Sequence, residues 1–353
     1  MGVFESARLA GLSLPNRITR PATHGSMADA AGAPTPWLEL LYTALAKGRT
    51  GAILTGYAGV HLDGKSSLPG MLMMNEDRLV PAFRTLTDEV HRHWIPILLQ
   101  ITHCGRQTRS AVTGLPTVSP PSPEGFHLQR RDSEGTWRAG HRNRRRQFRS
   151  CSPASEKGGF RRRAAPPGTR LSAVAVSFPL RQPEEEPVGG SLQNRFRIVS
   201  EILNRIRPTE DDFPILAKIN AYDRRPGGMR PKEALKAAQL LEAAGCDAVE
   251  ISSGTVEEGL SIMRGPNPPV EALFSSCLRF RNLPGPVKAL SAPLVKLAIR
   301  SPQPLRNNNF EAAKAIRKTI SIPVIRQAAS IHRKTSLRQS IPVPPTVYPC
   351  PGR

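Results

Sequence analysis

The sequence predicts an α/β protein built as a (β/α)8 (TIM) barrel. Three observations carry that prediction. Short apolar runs alternate with amphipathic helical stretches, the apolar runs end in loops rich in glycine and charge, and 353 residues suit one barrel with elaborated loops. The pattern lapses between residues 125 and 188 and again from 326 onward.

Taken in order, residues 16–22 read as the first strand and 35–47 as a helix. Residues 51–56 form a second apolar strand and 77–93 a helix. Residues 95–101 form a buried strand that runs into the polar loop His103-Cys-Gly-Arg106. Ser191 is a candidate cap for a helix carrying Phe196, Val199 and Leu203 at helical spacing. Residues 213–220 are a strand, 231–244 a helix begun by Pro231 and ended by Gly245, and 247–251 a strand. Residues 310–318 and 322–325 supply one more helix and strand. Residues 253–307 are too long for an ordinary connection and are expected to cover the mouth of the barrel. The chain thus divides into 1–124 and 189–325, which carry the barrel pattern, and 125–188 and 326–353, whose polar, Pro-rich composition is expected to stay disordered. The regions of strands four and eight read as degraded or missing.

A net charge of +22 would ordinarily suggest nucleic acid or an anionic surface as partner. Its distribution argues otherwise, because 13 of the 22 charges lie in the two irregular stretches and the basic run 142–149 holds a single aromatic, Phe148. The five cysteines show no CxxC spacing, which excludes a zinc or iron-sulfur site of the usual form and points to a reducing, cytoplasmic setting. No apolar run approaches the roughly 18 residues of a membrane span, and the N-terminus lacks a signal pattern. Met1-Gly-Val-Phe-Glu-Ser6 fits a myristoylation site in outline only.

Five motifs together resemble the Old Yellow Enzyme family of NADH:flavin oxidoreductases and FMN-dependent ene-reductases. They are Leu14-Pro-Asn-Arg-Ile-Thr-Arg-Pro-Ala-Thr23, Thr55-Gly-Tyr57, Gln100-Ile-Thr-His-Cys-Gly-Arg106, Gly189-Gly-Ser-Leu-Gln-Asn-Arg195 and Ala217-Lys-Ile-Asn220. Phe4-Glu5 also matches the family's ordinary start. The resemblance implies FMN as cofactor, NAD(P)H as reductant and an activated alkene as substrate, with the protein supplying orientation and electrostatics. It implies that Gln100 hydrogen-bonds the flavin pyrimidine ring and that Lys218 lies near flavin N1 and O2. Taken alone, Gln100 could instead satisfy loop backbone and Lys218 could be a surface lysine, although its apolar neighbours Ile215 and Ile219 speak against the latter. Ala22, Thr23 and His24 correspond to the segment that cups the flavin, with His24 at a position where the family commonly has Thr or Cys. A solvated loop histidine is the alternative. Gly56 and Tyr57 correspond to the close approach after strand two, or else to a turn glycine and a packing tyrosine. His103 and Arg106 read as loop-fixing residues, and Asp223 and Glu250 as strand-end carboxylates.

The family's fourth strand carries GFDGVxxHxxHGY, whose histidines bind the substrate oxygen. Here residues 159–171 contain no histidine, although the spacing from Phe160 to Gly189 matches. Codons permitted for 158–172, read one base later, can spell AGFDGVQLHRAHGY, which points to a shifted reading frame. The tail behaves alike: Arg326-Gln-Ala-Ala-Ser-Ile-His332 stands where the family has a glycine pair for the FMN phosphate. The rival reading is a non-catalytic remnant, or a basic binding protein on a partial barrel.

Overall fold

The computed structural model describes residues 2–9, 11–104, 108–115, 172–175, 191–206, 214–223, 228–254, 270–271, 274, 283–298 and 309–326. A short antiparallel hairpin that the sequence reading did not separate, β1 (Ala7–Leu9) and β2 (Leu12–Leu14), comes first and buries Leu9, Leu12 and Leu14. The remaining elements follow in chain order: β3 (Thr19–Arg20), α1 (Pro36–Lys47), β4 (Ala52–Leu54), β5 (Ala58–Gly59), β6 (Leu72–Met73), α2 (Val80–His91), β7 (Ile97–Leu98), β8 (Gln100–Thr102) and α3 (Ser110–Thr113). After these come β9 (Ser172–Ala175), α4 (Leu192–Ile206), β10 (Ile215–Asn220), α5 (Pro231–Ala243), β11 (Ala248–Ser252), α6 (Gly285–Ala298), α7 (Phe310–Arg317) and β12 (Val324–Arg326).

These elements build consecutive barrel staves. β3 pairs in parallel with β4, and β4 with β7. Two staves then continue a few residues on as β5 and β8, and β8 is followed by β9, β10, β11 and β12, every neighbour parallel. β6 adds a short parallel strand beside β5. The predicted strands and helices are recovered with ends shifted by one or a few residues. The helix expected over 77–93 begins as a 3₁₀ turn at Asp77–Leu79 before α2 proper.

The fourth stave is reduced, in line with the expectation of a degraded strand, to four described residues. Ser172–Ala175 stands between β8 and β10, with Ala173 opposite both Gln100 and Leu216. Its signal is the short β-prone run Ser172-Ala-Val-Ala-Val176, which has the alternation and branching that suit a parallel strand. The rest of 125–188, the tail beyond 326 with the expected eighth strand and phosphate site, Arg106, and most of 253–307 lie outside the described residues.

Helices cover the sheet with narrow apolar faces. α1 buries Leu38, Tyr42 and Ala46, and α2 buries Phe83, Leu86 and Val90, in each case at the three-to-four residue spacing of one helical face. α5 presents Ala234, Ala237, Ala238 and Leu241, small side chains that let the helix lie close against β10 and β11. α4 opens as expected, with the Ser191 hydroxyl accepting from the Asn194 amide at 3.3 Å. Its buried Arg195 donates to Glu233 of α5 at 2.5 Å, and the same carboxylate accepts from the Arg230 amide, so one acid locks two helices and caps the second.

Candidate functional site

Lys218 and Glu250 are register neighbours on the adjacent parallel strands β10 and β11, so their side chains leave the same face of the sheet. The Lys218 ammonium lies 3.0 Å from a Glu250 carboxylate oxygen and donates to the carbonyl of Ala22 at 3.3 Å. Ala22 follows β3, which is not a neighbour of β10, so that contact crosses the barrel and identifies the shared face as the interior one. Gln100 belongs to the same face: it aligns through Ala173 with Leu216, two residues before Lys218. Gln100 is only 4% exposed, and its side-chain amide makes no hydrogen bond among the described residues. Its backbone is held, since the Gln100 amide donates to the Thr55 hydroxyl at 3.1 Å and that hydroxyl donates to the Gly56 carbonyl at 2.8 Å.

The segment after β3 is fastened by Arg20. One guanidinium nitrogen donates to the carbonyls of Leu54 (2.7 Å) and Pro21 (3.3 Å), the other to that of Thr23 (3.4 Å), and the group lies over the Tyr42 ring. The Tyr42 hydroxyl accepts from the Gly56 amide at 2.8 Å, and burial pushes that hydroxyl's pKa up. Strand one and strand two therefore end against each other. A Cβ added at Gly56 would sit 3.0 Å from the Thr23 carbonyl oxygen, a close approach that explains the glycine.

His24 packs on Tyr57 with ring centres 5.0 Å apart and planes 15° from parallel, and its Nε2 lies 3.0 Å from the Pro69 carbonyl. Burial lowers the His24 pKa, the Pro69 bond opposing it, so the ring is neutral near pH 7. A neutral ring facing a carbonyl through Nε2 carries its proton there, which leaves Nδ1 as an acceptor. His24 is thus a packed residue and not a loosely solvated one. Burial also pushes the Tyr57 phenol up to about 12.

The other candidates have structural work. Asp63 accepts from His103 at 2.8 Å and from His61 at 2.6 Å; burial raises its carboxyl pKa, but the two histidines outweigh burial and hold it at about 2. That cluster ties the loop after strand two to the loop after strand three, the fixing role expected of His103. Asp223 accepts from Asn220 and from the Met229 amide, both at 2.8 Å, and closes the loop after β10.

Ala22, Thr23, His24, Gly56 and Tyr57 converge at one end of the barrel, and Lys218 joins them through Ala22. With Gln100 on the same interior face, this set fits the polar ring of FMN, because it offers a cation, a strand-end amide and two backbone segments in close approach. The residues expected to hold the phosphate lie outside the described residues. The sequence reading quoted Arg20 and Thr55 within motifs without giving them a role, and missed Tyr42; all three hold backbone. The only available signal was the burial implied by their place beside apolar strands.

Comparison with known proteins agrees with this geometry. The NADH:flavin oxidoreductase / NADH oxidase family matches residues 3–138. A metal reductase of Desulforamulus reducens is 28% identical over 259 residues, covering 71% of this chain and 37% of that protein, so the chain spans little more than a third of that relative's length. An NADPH dehydrogenase of Geobacillus thermodenitrificans is 27% identical over 261 residues, covering 72% of this chain and 73% of the relative. The solved Old Yellow Enzyme homologue from Zymomonas mobilis superposes with a TM-score of 0.65 at 16% identity, covering 94% of this chain and 83% of that one, and shares its barrel fold. The part of the chain from residue 3 to 138 is thus similar to the NADH:flavin oxidoreductase / NADH oxidase family, and the staves of the chain are those of the (β/α)8 barrel seen in the Old Yellow Enzyme homologue.

Proposed function

We propose that the chain is an FMN-dependent oxidoreductase of the Old Yellow Enzyme type, with NAD(P)H as reductant and an activated alkene as substrate class. The observation that carries this reading is the placement of Gln100 and Lys218 on one interior face, with the Ala22 carbonyl bound to the lysine. FMN, when bound, would supply two-electron hydride chemistry between the two substrates. The chain's own part is to seat the ring: Gln100 would bond its pyrimidine edge, Lys218 would offset negative charge at that edge, and the Ala22–His24 and Gly56–Tyr57 segments would flank it. A cytoplasmic setting belongs to the same proposal, supported by the scattered spacing of the five cysteines.

Fluorescence titration with FMN, followed by anaerobic addition of NADPH, tests the proposal. Saturable quenching and bleaching of the bound flavin are expected, and absence of quenching would sink it. A second reading, a flavin-binding protein without alkene turnover, is favoured by the lack of any histidine from residue 142 to 331. Donors aimed at a developing oxyanion are commonly worth about 10² to 10³ in rate each. Cyclohexenone reduction should therefore be absent from the chain as it stands and present in a variant carrying AGFDGVQLHRAHGY in place of 158–171. Equal turnover by both would exclude the second reading.

A further inference from the structure

Lys218 does not meet the barrel interior as a lone cation. Glu250 is 2% exposed, and apart from the Lys218 ammonium at 3.0 Å its Oε1 has no partner among the described residues. A carboxylate taken this far from water is costly unless a cation is held against it. The coupling runs both ways: the carboxylate fixes where the flexible lysine chain ends, and its charge cancels that of the ammonium. The remaining Lys218 contact, to the Ala22 carbonyl, carries no formal charge and leaves the balance unchanged.

Resting on the FMN-dependent function above, we propose that Glu250 is a positioning residue for Lys218: it holds the ammonium on the interior face of β10 and turns the site into a neutral pair. The bound cofactor then meets less net positive charge than a lone lysine would supply. Binding of its reduced, anionic form is favoured less strongly over the oxidised form.

The test compares affinities of the full chain for oxidised FMN and for dithionite-reduced FMN, in the wild type, Glu250→Gln and Glu250→Asp. Removing one full charge from a partly buried site is worth about tenfold in an equilibrium that senses charge. Glu250→Gln should therefore raise the reduced-to-oxidised affinity ratio about tenfold, which for a two-electron couple is about 30 mV more positive. Glu250→Asp, which keeps the charge, should stay near the wild-type ratio. A purely structural role would weaken both forms alike, and an unaltered ratio in Glu250→Gln overturns this inference while leaving the function intact. Failure of the wild type to bind either form overturns both. Urea unfolding keeps the pair testable if Glu250→Gln does not fold: the double variant Lys218→Met/Glu250→Gln should be more stable than Lys218→Met, and a double variant no more stable overturns the inference.

Discussion

Gln100 and Thr55 are joined by a 3.1 Å bond from the Gln100 backbone amide to the Thr55 hydroxyl, which fastens the start of β8 to the end of β4. The bond engages the Gln100 backbone and leaves its side-chain amide unengaged among the described residues, so one residue divides cleanly into a structural half and a half available to a ligand.

That division makes Gln100→Ala informative. The substitution keeps the backbone bond to Thr55, so the unfolding midpoint in urea should change little. FMN affinity should fall about tenfold, in line with roughly 1.5 kcal/mol for a hydrogen bond to a ligand. A large loss of stability with unchanged FMN affinity would show that the amide serves the fold.

Arg20→Lys should destabilise the chain by about 1–2 kcal/mol although the charge is kept. A single ammonium cannot reach the Leu54, Pro21 and Thr23 carbonyls at once, and it forfeits the planar stacking over Tyr42. Amide exchange at Thr23 to Gly25 should speed up by more than that at β10. Uniform acceleration across the sheet would mean that Arg20 does not specifically hold this segment.

Gly70 has a φ of 66° and lies against the backbone of the segment after β3, where an added Cβ would meet the Ser26 carbonyl carbon and oxygen at 2.4 Å. Both the conformation and the space exclude a side chain. Gly70→Ala should cost about 2 kcal/mol or more and lower the melting temperature by several degrees. Because Gly70 follows Pro69, which holds His24, FMN binding should weaken with it. An unchanged melt would contradict the geometry.

Stability should fall as pH drops from about 6.5 toward 4. The His91 pKa is lowered by burial to about 4, so in this window the unfolded chain takes up a proton that the folded chain refuses, and the folded state is lost relative to it. The effect is on the order of 2–3 kcal/mol across the window, and His24, lowered for the same reason, acts in the same direction. Asp63, held at about 2, contributes stability that is lost only below about pH 3.8. His91→Phe should flatten the melting temperature between pH 6.5 and 4, and an unchanged slope would assign the loss to other groups.

What was legible in the sequence was local. Periods of two and 3.6 identified the helices α1, α2, α5 and α7 and the strand runs around them, because burial of one face imposes those periods whatever the rest of the chain does. The same reading picked out Gln100 and Lys218, since a polar residue at the end of an apolar strand is conspicuous in one dimension. Glu250 was noted only as a strand-end carboxylate. Its meeting with Lys218 depends on the register of β10 against β11, which no local pattern records. The bond from Lys218 to Ala22 joins residues 196 apart and exists only because the sheet curves back on itself. Strand β9 was likewise invisible as a strand, since a four-residue run declares itself only when β8 and β10 stand on either side to receive its backbone hydrogen bonds. The sequence by itself thus determined which segments are strands and helices and which side chains are candidates. The tertiary structure decided their pairings, because register, curvature and burial of charge are properties of the assembled sheet and not of any one segment.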